Sequence, residues 1–356
     1  MNNIDVIYGY LVRHSGIGRY IAEILKRIKN KSNVEVLTLE NTLDLPPEIK
    51  VCFINCSRDP SFMNMNENEA FSRAVESRKS DNSFQHSHGV YSIFPDLYTA
   101  HICVRAYFDK VKEIFGEAVL SQEFHSALPL IDTEKRMLES SRQIVSVSEK
   151  VAEELQMSYG VPVQLVIAGA SRFKTDSNQK VLNSKKKIGF IGNNIYTKGI
   201  IFLREALNAL SKKGLEVECI SAGTSQDVDK FMGSSGFRYI PLGKTEINER
   251  FYMQLDCFAC PSIYEAYSLS TLEAMSLSVP VVSSRLNGVF FGAAMKGNPV
   301  ASEVDVTNLK ELSSTIERIL TDEEFTQRVI DQGKRIVEST SWENAANLYN
   351  RLYFRE

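Results

Sequence analysis

Short β-branched runs alternate with stretches of helical periodicity along this chain, and the alternation occurs twice. Strands are predicted at 4–8, 34–39, 51–55, 144–147 and 163–167, and again at 187–191, 215–221, 237–240, 257–260 and 280–283. After the first strand, Ile17, Tyr20, Ile21, Ile24, Leu25 and Ile28 fall on one helical face. Ser148 can cap a helix that stops at Gly160, since glycine suits the position after a helix end. Residues 59–84 are poorly patterned apart from a short helix near 69–78, and 97–143 read as mainly helical. Later helices are predicted at about 198–212, 307–320, 322–338 and 342–354. Residues 169–187 break the pattern with Ser, Asn and Lys and read as an interdomain linker.

A chain of 356 residues exceeds what one hydrophobic core normally organises. The expected fold is therefore α/β, with two Rossmann-like doubly wound domains, 1–170 and 171–340, followed by a closing helix over 341–356. Ligands in such sheets sit outside the carboxyl ends of the strands, which makes a cleft between the domains the natural site.

Composition removes several classes of function. With 41 basic and 44 acidic residues the formal charge is −3, so no global basic field points to nucleic acid. No apolar run approaches the ~18 residues of a membrane span, and the first residues lack the pattern of a secretory signal. A cytoplasmic location is the expectation. Cys257 and Cys260 form a C-x-x-C, but without a second pair at zinc-ligand spacing they read as part of a buried strand. No metal or cofactor is expected. Residues 10–31 carry six Lys/Arg and one Glu. They read either as the solvated face of an ordinary helix, the simpler account, or as a basic face (residues 13–31) for peripheral contact with the inner face of an anionic membrane.

The segment 261–275, PSIYEAYSLSTLEAM, is the most informative. It leaves a predicted strand, passes through small hydroxyl residues and enters a helix near Thr271. Helix starts offer unpaired N–H groups and partial positive charge, which suit a phosphate. Ser268, Ser270 and Thr271 add hydroxyl donors, and Glu265 and Glu273 bracket the loop. A second account is purely structural: Ser270 and Glu273 have capping-box spacing, so Glu273 can serve the helix N-terminus alone.

This segment resembles the E-x7-E region of retaining glycosyltransferases with the GT-B fold, glycosyltransferase family 4. GIGRYI (16–21), IVSVSEKVAEEL (144–155), IGFIGNN…TKG (188–199), YIPLG (239–243), LDCFACPS (255–262) and SWENAANLYNRLY (341–353) resemble further family segments in order. The likeness is strong over 188–288 and weak over 40–100.

The resemblance implies a nucleotide diphosphate sugar as donor and a hydroxyl of a glycan or lipid-linked acceptor as its partner. Glu273 would bind the ribose, Glu265 would lie near the donor sugar, and Lys198 would neutralise the departing diphosphate. Gly16, Gly18, Asn193, Leu242, Ala266, Tyr267, Ser268 and Leu269 would surround the donor. His88, with His86 as second choice, would face the cleft; residues 55–59 are an alternative for that edge. The chain departs from the family at Asn193, where arginine is usual, at Ala266 and Ser268, where glycines are usual, and at Phe291, near a frequent glutamate. Two other readings stay open: a nucleotide-sugar 2-epimerase of the same architecture, and a non-catalytic sugar-nucleotide-binding protein.

Overall fold

A computed structural model describes residues 3–56, 65–80, 82–92, 94–166, 169, 185–243 and 248–354. The chain divides into two compact units, Met1–Gly169 with Ser341–Glu356, and Ala170–Thr340. Most of the linker predicted at 169–187, and residues 57–59 of the alternative edge, lie outside the described residues.

The first unit runs β1 (Asn3–Ile7), β2 (Tyr10–Leu11), α1 (Gly16–Leu25), β3 (Val34–Thr38), β4 (Glu40–Asn41), β5 (Lys50–Phe53), α2 (Met65–Glu76), β6 (Ser83–His88), β7 (Leu97–Ala100), α3 (Val104–Phe124), α4 (Leu130–Ser140), β8 (Gln143–Ser146), α5 (Glu149–Tyr159) and β9 (Leu165–Val166). Its main sheet has the order β5-β3-β1-β6-β7-β8-β9, and β2 pairs with β4 separately. All pairs with a described register are parallel. A parallel sheet covered on both faces reads as apolar runs, as the buried Ile4, Val6, Ile7, Val34, Val36 and Leu37 do.

The second unit runs β10 (Lys186–Ile191), α6 (Ile200–Lys212), β11 (Val217–Ala222), α7 (Gln226–Gly233), β12 (Arg238–Pro241), α8 (Glu249–Met253), β13 (Cys257–Cys260), α9 (Leu269–Ser276), β14 (Val281–Ser284), α10 (Gly288–Met295), β15 (Glu303–Val304), α11 (Leu309–Thr321) and α12 (Glu323–Glu338). Its parallel sheet has the order β12-β11-β10-β13-β14-β15. This is the doubly wound order in which the chain first builds outward from β10 and then reverses, leaving a switch point between β10 and β13. A last helix, α13 (Trp342–Phe354), belongs to the first unit and packs on α1.

Local chemistry explains several boundaries. Ser15 caps α1 by accepting from the Gly18 amide, and Tyr8 Oη lies 3.1 Å from Ser15 Oγ. Ser148 caps α5 through the Val151 amide, and Gly160 ends that helix as expected. The prediction of helix from residue 97 is corrected: Leu97–Ala100 is strand β7, fully buried, and the helix begins at Val104. Four buried residues carry no readable period, so the run merged with the helix that follows. Helices α7, α8 and α10 were also missed from the sequence.

The N-terminus of α3 has an unusual cap. Its N-cap residue, Cys103, makes no side-chain hydrogen bond to the helix. Instead the carboxylate of Glu134, from α4, accepts the Val104 amide at 2.9 and 3.0 Å and the Tyr159 hydroxyl at 2.7 Å. Glu134 is completely buried, and burial pushes its carboxyl up to about 7 against these opposing hydrogen bonds. A carboxyl raised above its unfolded value binds its proton more tightly in the native state. Its stabilisation is complete below about pH 4.5 and is lost as pH rises through about 7. Glu134→Gln does not titrate, so it should gain on the parent by up to about 3 kcal/mol between those limits. Denaturation midpoints of the two proteins from pH 4 to 9 test this, and a constant difference would refute the assignment.

Candidate functional site: the switch point of the second unit

Two loops leave the sheet of the second unit where its order reverses. The first follows β10. In it Asn194 Oδ1 accepts the amides of Tyr196 (3.0 Å) and Thr197 (2.8 Å) and the Thr197 hydroxyl (3.1 Å), folding residues 194–197 into a tight turn. Gly199 then takes a left-handed φ of 62° and caps α6. A Cβ on Gly199 would lie 1.8 Å from the Pro261 carbonyl oxygen, so the backbones of the two loops meet there without room for a side chain. The Ile263 amide donates to the Thr197 carbonyl at 3.0 Å, completing the join.

Lys198 therefore arrives beside the second loop, which follows β13. Its Nζ donates to Glu265 Oε2 at 2.9 Å, and Ser262 Oγ donates to the same oxygen at 3.2 Å. The lysine stem covers Gly192, where a Cβ would sit 2.8 Å from Lys198 Cγ. Lys198 was predicted in the first turn of a helix; it lies before α6, and its charge is met by a carboxylate. Both partners keep some exposure, 35% for Lys198 and 17% for Glu265, so the pair is accessible to a ligand. The Glu265 backbone is pinned in turn: its amide donates to Leu286 O, and its carbonyl accepts from the Gly288 amide. Asn287 between them is fully buried, and its Nδ2 donates to Ser283 Oγ and Thr271 Oγ1. One asparagine thus ties together the ends of β14 and α9 and the loop carrying Glu265.

Helix α9 starts two residues earlier than expected. Ser268 is its N-cap and accepts the Thr271 amide at 3.2 Å. The capping box proposed for Ser270 and Glu273 is therefore corrected, because Glu273 stands beyond the first turn of α9. It is 1% exposed, and its Oε2 accepts the Tyr252 hydroxyl at 2.6 Å. A carboxylate in such a place is costly unless a function retains it. Ala266 and Tyr267 are partly exposed beside Glu265, whereas Ser268 and Leu269 are buried. Asn193 is exposed and its carbonyl accepts from Ser225 Oγ; Leu242, 41% exposed, follows β12. These residues cluster at the carboxyl ends of β10, β12 and β13.

The remaining candidates lie in the first unit. Gly16 is exposed at the start of α1 with nothing near its Cβ position, while a Cβ on Gly18 would crowd the backbone of Tyr10 and Val12. The first can admit a ligand, and the second serves packing. His88, expected to face a cleft, is a core group, 1% exposed, with Nδ1 2.9 Å from His101 Nε2. His86 is equally buried: Nδ1 is 2.5 Å from the Tyr353 hydroxyl and Nε2 is 2.7 Å from Thr99 Oγ1. Burial depresses both imidazoles well below their usual range. The expectation that His88 faces a cleft is thus corrected, because its ring is buried against His101. His101, which sequence reasoning missed, sits just after β7, is 8% exposed, and is lowered by burial to about 3. Its place after a strand end was hidden because that strand was read as helix. Of the basic residues at 13–31, Arg13 pairs with Asp44, Lys26 and Arg27 with Glu23, and Arg27 also with Glu343.

Among the described residues no group of three His, Cys, Asp or Glu could hold a metal ion, and Cys257 and Cys260 are buried free thiols. No helix among them is long and apolar enough to cross a membrane.

Residues 185–322, which hold every second-unit group above, match the family model described as Glycosyl transferases group 1. An uncharacterized glycosyltransferase of Methanocaldococcus jannaschii is 24% identical over 235 residues, 60% of this chain and 60% of that relative. The fold extends further. WaaG, a glycosyltransferase involved in lipopolysaccharide biosynthesis, superposes with a TM-score of 0.75 at 13% identity, over 98% of this chain and 99% of its own. Anabaena HepE, solved in complex with UDP and glucose, gives 0.72 at 13% identity over the whole of both chains. The chain has the GT-B fold, and its likeness to the group 1 glycosyltransferases is borne out by the match over the second unit.

The contact between Gly199 and Pro261 is open to test. Gly214 also has positive φ (88°) but open space at its Cβ position. Gly214→Ala should cost about 1–2 kcal/mol, the ordinary left-handed penalty. Gly199→Ala should cost at least about 3 kcal/mol, because overpacking adds to that penalty. Equal losses in urea denaturation would show that the two loops do not meet as described.

Proposed function

We propose that this chain is a retaining glycosyltransferase that moves a hexosyl group from a nucleotide diphosphate sugar to a hydroxyl of a glycan or lipid-linked acceptor. The observation that carries the reading is the Lys198–Glu265 pair at the switch point, followed on the next helix, α9, by the buried Glu273. Lys198 supplies a mobile positive charge for the diphosphate, which competes with Glu265 for its ammonium. The amides at the start of α9 add partial positive charge. Glu273 receives the ribose hydroxyls.

In the reaction the bond from the anomeric carbon to the phosphate oxygen breaks, and a bond to the acceptor oxygen forms on the same face. The acceptor proton passes to the leaving phosphate, and the transition state has oxocarbenium character. The protein contributes position and a fixed field around the departing diphosphate. No metal, cofactor or histidine base is invoked. A place in surface polysaccharide or lipopolysaccharide synthesis is supported by the likeness to WaaG, a glycosyltransferase involved in lipopolysaccharide biosynthesis. Peripheral membrane contact gains no support from the basic run, since several of its charges are met by carboxylates.

A thermal-shift screen against UDP-, GDP-, ADP- and dTDP-sugars should reveal one stabilising class. With that donor, Lys198→Ala should lower kcat by about 10²-fold or more, and Glu273→Ala should weaken nucleotide binding by at least about tenfold. If both variants bind and turn over like the parent, the site is elsewhere.

A further inference from the structure

We infer that Tyr252 is a positioning residue that gives this site its selectivity for a ribose over a 2′-deoxyribose, by fixing the plane of the Glu273 carboxylate. The inference rests on the reading of Glu273 as the ribose-binding group.

Tyr252 sits on α8, a single turn capped by Asn248 and absent from the sequence-based expectation. Its ring is completely buried, wedged edge-on against Phe251 (5.1 Å between centroids) and Phe258 (5.5 Å). The ring belongs to the apolar cluster beneath the switch point, with Leu255, Leu272, Ala274 and Phe290. A phenol held this way presents its hydroxyl in one direction, and that direction is Glu273 Oε2, at 2.6 Å. Packing alone does not account for the hydroxyl. Phenylalanine would fill the same space, and the neighbours of Glu273 along α9, Leu272 and Ala274, are apolar and fully buried.

A glutamate carboxylate turns about a broad, weakly restricted last torsion. To grip two neighbouring hydroxyls at once it must be held in one plane. An ionised carboxylate has about four acceptor positions, and the Tyr252 hydroxyl uses one of them. That bond, from a ring whose own direction is fixed, ties the carboxylate plane to Tyr252. A site built to pair with a hydroxyl discriminates against the analogue that lacks it, because its own polar group is then left unmet. Selectivity at the 2′ position should therefore depend on Tyr252 although its hydroxyl touches Glu273 and not the ligand.

The test is calorimetric titration of the full chain with UDP, GDP and ADP, each beside its 2′-deoxy counterpart. The parent should bind one base class and prefer the ribonucleotide by about tenfold or more. Tyr252→Phe should reduce that preference to about threefold or less while weakening the deoxynucleotide little. The double variant Tyr252→Phe with Glu273→Gln should bind no worse than Glu273→Gln alone, since Tyr252 acts through that side chain. Equal weakening of both nucleotides, or an unchanged preference, would reduce Tyr252 to packing and overturn the inference while the donor site stands. If Tyr252→Phe does not fold, the comparison of Glu273→Gln with the double variant decides, because neither carries a charge at that position. Additive losses there would overturn the inference. Failure of every diphosphate to bind the parent would overturn the donor-site reading itself, and the inference with it.

Discussion

The meeting of two backbones at Gly199 and Pro261 sets the geometry of the second unit's site. One loop must leave β10 and the other β13 at the place in this sheet where adjacent strands send their chains in opposite directions. A side chain between them would hold the loops apart. With none, Lys198 reaches Glu265 directly, and the Asn287 turn fixes Glu265 from the far side. The ion pair itself contributes little to stability, because it is partly exposed. Its importance is positional: a lysine and a carboxylate are kept together at the carboxyl ends of β10 and β13 by bonds made elsewhere.

Two buried glutamates show how the same residue type serves different ends. Glu134 accepts the Val104 amide of α3 with both oxygens and a tyrosine hydroxyl with one, so its partners explain its presence as a helix cap supplied from another helix. Glu273 stands past the amides of its own helix and is met by a tyrosine from α8. The contrast removes local capping of α9 as the account of Glu273.

Strand–helix alternation, both doubly wound sheets and the loop around Glu265 were legible in the sequence because each leaves a local mark: a run of β-branched residues, a helical stripe, a cluster of small hydroxyl residues. What was lost had no local mark. Leu97–Ala100 is too short and too uniformly buried to show a period of two. Helix α10, GVFFGAAM, is buried over most of its length and shows no polar face. The shift of the α9 cap from Ser270 to Ser268 could not be read where several serines and a threonine offered equivalent caps. The bond from Tyr252 to Glu273 joins residues on different helices, and nothing in their spacing announces it.

The histidines of the first unit illustrate the same limit from the other side. A histidine before a glycine at a strand end has the form of a site residue, yet side chains i and i+2 on a strand share a face, and that face lies under α13. His86 meets Tyr353, and Thr99 meets both His86 and Tyr349, whose hydroxyl also approaches Tyr20 of α1. The closing helix is thereby fastened to β6, β7 and α1 by a buried polar network, supplemented by Asn350 accepting the Lys29 amide. Such a network demands neutral imidazoles, since each ring nitrogen must be a fixed donor or acceptor and burial penalises the cation. A residue committed to that task holds the C-terminal helix in place, and proton transfer to a substrate would require breaking the contacts that define it.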